Sequence, residues 1–202
     1  LSAVRTAIGD FGGSLKSVAP SALSAVTLKE AVARSGVEPS EIGMIYTGTV
    51  IPAEERAPYT TRVAQIEAGI PCETSNVAIN RLCGSGMQAI VDAAQGIMLG
   101  DFEVAIGAGV ESMSNALYAL PGARWGQKMG PGQMIDLMIS GLTDPFGAGH
   151  MGMTAENLAD KYNISREDQD ALAVTSHQNA ARAQTEGRFD SQIVPVEIKT
   201  RK

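Results

Sequence analysis

Cysteine is nearly absent: the 202 residues contain two, Cys72 and Cys83, and no CxxC pair. Histidine is equally scarce, with His150 and His177 both far downstream of the cysteines. Such a set forms neither a zinc-binding pattern nor a secreted disulfide framework, and it points to a reducing compartment. No metal site is expected. Aromatic residues make up 4% of the chain, so Ala, Gly and Met fill much of the apolar quota and favour close packing of helices and sheets. Lysine and arginine (16) are outnumbered by aspartate and glutamate (22), leaving a net charge of −6. That balance argues against a nucleic-acid partner, which requires a basic face. The one basic cluster, Lys199, Arg201 and Lys202, closes the chain and reads as a solvated tail. No apolar run approaches the ~18 residues that cross a bilayer, so no membrane association is expected. The chain begins at Leu1, inside what reads as a structured segment, and a targeting peptide could precede it.

What is present alternates between helix and strand. Pro20 and Ser21 open a helical stretch with Leu23, Val26, Ala31 and Val32 turned inward, stopped by Gly36. Met44 to Val50 is a short apolar, β-branched run that predicts a buried strand. Thr60 to Ala68 reads as a helix closed by Gly69 and Pro71, and Ser75 to Ile79 as a second strand. Between Gly84 and Leu99 the apolar residues Met87, Ile90, Ala94, Ile97 and Met98 recur at helical spacing. Glu103 to Val110 is a third apolar strand. Strands separated by helices predict α/β layering around a largely buried sheet. The alternation ends near Glu111, dividing the chain into a core over 1–111 and a second region over 112–202. That region opens with an irregular excursion rich in Gly, Pro and Met, to about His150. Helices return at Thr154 to Tyr162 and at Arg166 to Gln184, the second introduced by Ser165 and Asp168 at capping-box spacing. Ile193 to Ile198 reads as a final edge strand.

The chemistry concentrates in Val77-Ala78-Ile79-Asn80-Arg81-Leu82-Cys83-Gly84-Ser85-Gly86-Met87-Gln88-Ala89-Ile90. A strand ends, a cysteine sits at the turn, and Gly-Ser-Gly opens a helix. Sharp strand-to-helix turns expose a nucleophile at a sheet edge. A helix N-terminus favours an anion beside it, and its free amides suit an oxyanion formed from a thioester. On residues alone, a buried structural cysteine before a helix competes with this reading. His150 and Met151 taken singly read as a loop histidine and ordinary core, and His177 as a helix-surface residue.

The run Ile79-Asn80-Arg81-Leu82-Cys83-Gly84-Ser85-Gly86-Met87-Gln88-Ala89-Ile90 followed by Ile97 closely resembles the acyl-enzyme signature of the thiolase family. The resemblance extends along the chain, to Ser2-Ala3-Val4-Arg5-Thr6-Ala7-Ile8-Gly9, Gly107-Ala108-Gly109-Val110-Glu111-Ser112-Met113-Ser114 and His150-Met151-Gly152-Met153-Thr154-Ala155-Glu156-Asn157. Gly187-Arg188-Phe189-Asp190 and Ile193-Val194-Pro195-Val196 are also typical of it.

That resemblance implies the N-terminal half of the layered αβαβα thiolase fold, a mixed sheet with flanking helices and a long irregular loop region. It implies that Cys83 is acylated by a coenzyme A thioester and that its backbone N–H is a donor to the thioester oxygen. Acetyl-CoA and short-chain acyl-CoA are then substrates, condensed reversibly to a 3-ketoacyl-CoA, with no permanently bound cofactor. Leu142 falls where a coenzyme A contact is usual, and His150 and Met151 fall in the acyl and pantetheine pocket. Cys72 matches no family site and reads as structural. The family's activating histidine, second cysteine and water-orienting asparagine belong to a C-terminal half that is not present, so these residues alone are expected to lack turnover. The resemblance further implies a homodimer or homotetramer in the cytoplasm. Ser75 to Ile79 would lie at the two-fold axis, and Arg124 to Met134 resembles a tetramer-building hairpin. Competing readings are a ketoacyl synthase-like condensing enzyme, a cysteine hydrolase using Cys83 and His150, and a non-catalytic assembly fragment.

Overall fold

Pro20 occupies the first turn of α1 (Pro20–Ser35), where its missing N–H costs nothing. The cap comes from elsewhere in the chain: the Glu54 carboxylate accepts from the Ser21 N–H at 3.1 Å and from its hydroxyl at 2.7 Å. Gly36, at φ 70°, ends the helix. The inward face differs in part from the expected one. Ser21, Leu23, Ser24, Ala25 and Leu28 are buried, whereas Val26, Ala31 and Val32 are only half-buried.

The computed structural model describes residues 1–198; the basic cluster Lys199, Arg201 and Lys202 lies outside the described residues. By its internal contacts the chain divides into two units. The first comprises Leu1–Gly141 with the stretch from Val194, and the second is Leu142–Ile193. The irregular stretch 112–141 therefore belongs with the α/β core. Hydrogen bonds explain this: the Leu117 N–H donates to the Pro52 carbonyl at 2.9 Å, and the Gly12 N–H to Ser114 Oγ, also at 2.9 Å.

The first unit is organised by three parallel strands, β1 (Met44–Gly48), β2 (Ser75–Ile79) and β3 (Ala105–Gly109), in the order β2-β1-β3. Helix α2 (Thr60–Glu67) connects β1 to β2, and α3 (Ser85–Leu99) connects β2 back across β1 to β3. The two crossovers run in opposite directions along the sheet. Right-handed connections then put the two helices on opposite faces. Side-chain parity agrees: Ile45, with its half-buried partner Ile106, packs in the core with Ala25, Leu28 and Ala64 of α1 and α2. Gly48 and Gly107 instead face α3. Burying Leu28 and Ile45 stabilises the fold by about 1.5–3 kcal/mol each.

Large apolar residues on α3 do not form its packing face. Ser85, Ala89, Ala93 and Gly96 are buried, while Met87, Ile90, Ile97, Met98 and Leu99 are exposed. The reason is steric: a β-carbon on Gly107 would lie 2.8 Å from the Ile90 α-carbon, so helix and sheet backbones meet at a distance only small residues allow. Strand β2 is largely exposed, unlike the buried strands expected from the sequence, because α3 packs over β1 and β3 and barely reaches it. The opening segment and residues 193–198 form no named strand, although the Val194 N–H donates to the Arg5 carbonyl at 2.8 Å. The rest of the first unit carries the antiparallel pair β4 (Tyr118–Ala119) and β5 (Ile135–Asp136), then the short α4 (Leu137–Gly141).

In the second unit, β6 (Thr143–Asp144) pairs antiparallel with β7 (Gly149–His150), followed by α5 (Met151–Tyr162) and α6 (Arg166–Thr185). The Ser165 hydroxyl caps α6, accepting from the Asp168 N–H at 3.1 Å. No helix among the described residues is long and apolar enough to cross a membrane.

Candidate active site

Cys83 lies on the connection between β2 and α3, beyond the carboxyl ends of the parallel strands and where the strand order reverses. Open α/β sheets place their ligands at such points. Cys83 is exposed among the described residues and in no disulfide, unlike the buried cysteine of the competing reading. Its immediate setting is a tight turn. Leu82 has φ 50°, a left-handed conformation that costs a non-glycine residue roughly 1–2 kcal/mol. Local bonds hold it there: the Leu82 N–H donates to Asn80 Oδ1 at 3.1 Å, and the Gly84 N–H to the Arg81 carbonyl at 3.1 Å. Arg81 in turn reaches forward to Gln88 on the first turns of α3.

The helix begins one residue after Gly84, its N-cap, which supplies no side-chain cap. Among the described residues no acceptor is found for the backbone N–H groups of Cys83, Gly86 and Met87. Unsatisfied amides at a helix start form an anion-binding surface, here beside an accessible sulfur. An exposed thiol and unpaired amides therefore come from one pentapeptide, Cys83 to Met87. Gly48 on β1 sits directly beneath, so the sheet sets the position of the turn.

The neighbouring strand end is fixed by Glu111. Its carboxylate accepts from the N–H groups of Ile51 at 3.0 Å and Val50 at 3.1 Å. Burial of the carboxylate raises its pKa, and these two backbone bonds lower it again in part. A cleft of about 340 Å³ opens beside this loop, lined by residues including Thr49, Val50, Ile51, Pro52 and Leu117. Cys83 is not among its lining residues. Glu111 stood within a recognised motif in the sequence but had no assigned role; an acidic residue two positions beyond a strand of small residues was the available signal.

In the second unit the structure brings Leu142, His150 and Met151 together. The Met151 N–H donates to the Leu142 carbonyl at 2.8 Å at the base of the β6–β7 hairpin. His150 is the N-cap of α5, its Nδ1 accepting from the Gly152 N–H at 3.1 Å. In the neutral ring this places the proton on Nε2, which is then a hydrogen-bond donor. Helix α5 starts three residues earlier than the expected Thr154 because this cap is supplied by an imidazole, outside the usual Ser, Thr, Asp and Asn set. Leu142 is half-buried, and His150 and Met151 are exposed. His177 lies exposed in the interior of α6. Cys72 is exposed, and its carbonyl accepts from Arg62 at 2.7 Å. No metal-binding cluster of His, Cys, Asp or Glu is found among the described residues.

Fold and site together define an α/β protein that presents an exposed cysteine at a strand-to-helix turn. A family model for the thiolase N-terminal domain matches residues 1–202. The chain belongs to the thiolase family. It is 52% identical over 202 residues to the beta-ketothiolase BktB of Cupriavidus necator, covering 100% of this chain and 51% of that protein. An acetyl-CoA acetyltransferase of the same organism is 45% identical over 203 residues, again covering 51% of its length. Among solved structures, the Bacillus anthracis acetyl-CoA acetyltransferase matches with a TM-score of 0.95 at 46% identity, covering 100% of this chain and 51% of that one. Human mitochondrial 3-ketoacyl-CoA thiolase in complex with CoA matches at 0.93 and 38%, covering 98% and 50%. The chain thus has the fold of the N-terminal half of a thiolase and spans about half the length of its relatives.

Proposed function

We propose that this chain supplies the acylated cysteine of an enzyme that transfers acyl groups between coenzyme A thioesters. The observation that carries the reading is Cys83 itself, an exposed thiol at a strand-to-helix turn with unpartnered amides beside it. In the first half-reaction a bond forms between Cys83 Sγ and the thioester carbonyl carbon. The carbon–sulfur bond to coenzyme A breaks, and the thiol proton leaves with the released coenzyme A. The Cys83 N–H is placed to donate to the carbonyl oxygen as it becomes negative. In the second, acetyl-CoA loses a methyl proton and its carbanion attacks the acyl carbon. That step releases Cys83 as a thiol and gives a 3-ketoacyl-CoA; thiolysis is the reverse. Covalent catalysis separates acyl activation from carbon–carbon bond formation.

Leu142, His150 and Met151 are proposed as acyl and pantetheine contacts, with the His150 Nε2–H as the donor left available by the Nδ1 cap. Short-chain acyl-CoA fits the names of the relatives, and coenzyme A thioesters serve as substrates with no resident cofactor. We further propose that residues 1–202 by themselves do not turn over. Two observations support this: the chain spans 51% of its relatives, and the outer face of α3 carries exposed Met87, Ile90, Met98 and Leu99, which the remainder of a longer protein would cover. General bases typically contribute ~10²–10⁴-fold, and the family draws its bases from that remainder. Assembly as a dimer or tetramer is proposed on the exposed outer strand β2 and the exposed Trp125 and Met129 of the Arg124 to Met134 segment.

Mass spectrometry of the full-length protein after incubation with acetyl-CoA tests the central claim. One acetyl group on Cys83, absent in Cys83→Ala, is expected; an adduct elsewhere would refute it. Acetoacetyl-CoA cleavage by the isolated 202 residues at a near-normal rate would sink the claim of inactivity.

A further inference from the structure

We infer that the Ser85 hydroxyl is a positioning residue for the Cys83 backbone N–H, an inference resting on the reading of Cys83 as the acylated nucleophile. Ser85 is 4% exposed, and its side chain is turned back onto the cysteine turn. Its Oγ donates to the Leu82 carbonyl at 2.6 Å and accepts from the Arg81 N–H at 2.8 Å. The Ser85 N–H donates to the same Leu82 carbonyl at 3.0 Å. Two donors from one residue therefore hold that carbonyl toward the start of α3.

The consequence follows from peptide geometry. Leu82 C=O and Cys83 N–H belong to one planar unit, and in a trans peptide they point in opposite directions. No cis peptide bond occurs among the described residues. Pinning the carbonyl inward aims the Cys83 N–H outward, where no acceptor among the described residues meets it. The bond that Ser85 accepts from Arg81 fixes the other side of Leu82, the residue at φ 50°. Without the hydroxyl, Leu82 keeps only the longer Ser85 N–H bond on its carbonyl, and rotation of the Leu82–Cys83 peptide is less restrained. A thioester oxygen at Cys83 would then lose part of a preorganised donor, whose full removal from an oxyanion site costs about 10²–10³-fold.

Neither acyl chain nor coenzyme A needs to touch Ser85, so substrate affinity is not its target. A helix-capping role alone would affect stability and leave the bound carbonyl unaltered. The discriminating experiment compares the full-length protein with Ser85→Ala and Ser85→Thr, using stopped acetylation by acetyl-CoA and isotope-edited infrared spectroscopy of the [1-¹³C]acetyl-enzyme. In Ser85→Ala the acetylation rate at saturation should fall by at least about tenfold, with the apparent acetyl-CoA affinity within about twofold. The acetyl carbonyl stretch should move to higher frequency, toward that of a free thioester. Ser85→Thr, which keeps a hydroxyl, should recover most of the rate; if threonine's methyl group prevents folding, the infrared shift in Ser85→Ala still decides. An unchanged carbonyl frequency, or a rate loss no larger than the loss of folded protein, overturns the inference. Cys83→Ala separates the two levels: acetylation that persists there brings down the Cys83 reading itself, whereas a silent Cys83→Ala beside a fully active Ser85→Ala brings down only the role of Ser85.

Discussion

A β-carbon placed on Gly48 would lie 2.4 Å from the carbonyl carbon of Ser85 and 2.5 Å from the Gly86 nitrogen. Strand β1 and the first turn of α3 thus touch backbone to backbone, directly under the cysteine turn. Both contacts are with main chain, which cannot swing aside as a flexible side chain would.

Gly48→Ala is accordingly expected to push the start of α3 away from the sheet. Overpacking of this kind costs about 1–3 kcal/mol, readable as a shift in the denaturant midpoint. Acetylation of Cys83 should fall with it, since the turn moves with the helix. An alanine variant with unaltered stability and acetylation would show that the contact does not set the turn.

Glu111 gives a pH-dependent signature. Its pKa is raised above the ordinary carboxylate value of 4.5, with desolvation the largest cause and the Ile51 and Val50 N–H bonds opposing it. A carboxyl group with a raised pKa in the folded state adds stability that is fully present below its unfolded value and is lost as pH rises through the folded one. From pH 4.5 upward, the thermal midpoint of the unsubstituted protein should therefore fall relative to Glu111→Gln, in which this titration is missing. Parallel midpoint curves for the two proteins across that range would contradict the assignment.

Thr47 is fully buried on β1, and among the described residues its hydroxyl has no hydrogen-bond partner. Leaving a buried polar group unpaired carries a desolvation cost, whereas an apolar group of the same shape carries none. Thr47→Val should be neutral or stabilising by up to about 1 kcal/mol in urea unfolding. A loss larger than that would mean the hydroxyl is satisfied in solution.

Gln65 presents the opposite case. It is 0% exposed and fully engaged, with Nε2 donating to the Pro71 and Thr74 carbonyls and Oε1 accepting from Asn76 and Arg62. Gln65→Leu strands several of these partners, at about 1–3 kcal/mol for each left unsatisfied. Hydrogen exchange over Ser75–Ile79 should accelerate, because Asn76 ties β2 to this network. Unchanged exchange there would show that β2 is held by β1 alone.

Much of this was legible in the residues. The helix stop at Gly36, the bounds of β2 and the start of α3 beside Cys83 follow from local steric rules: a left-handed glycine, a short apolar run, and a Gly-Ser-Gly opening. The Ser165–Asp168 cap was equally local. The motif around Cys83 pointed to the thiolase family because its residues are contiguous, so their order needs no folding to be read.

Long-range contact decided the rest. Periodicity located α3 but not its packing face, since Ala89, Ala93 and Gly96 became the buried stripe only when Gly48 and Gly107 let the sheet approach. Which edge strand would be exposed depended on which strands α3 covers, β1 and β3 here, and sequence spacing does not encode that. Glu54 capping Ser21, Glu111 holding Val50 and Ile51, and Asn76 bound to Gln65 join residues from 11 to 61 positions apart. Local sequence sets which backbone conformations are cheap; the direction in which a carbonyl or carboxylate points is set by partners that only the folded chain brings within 3 Å.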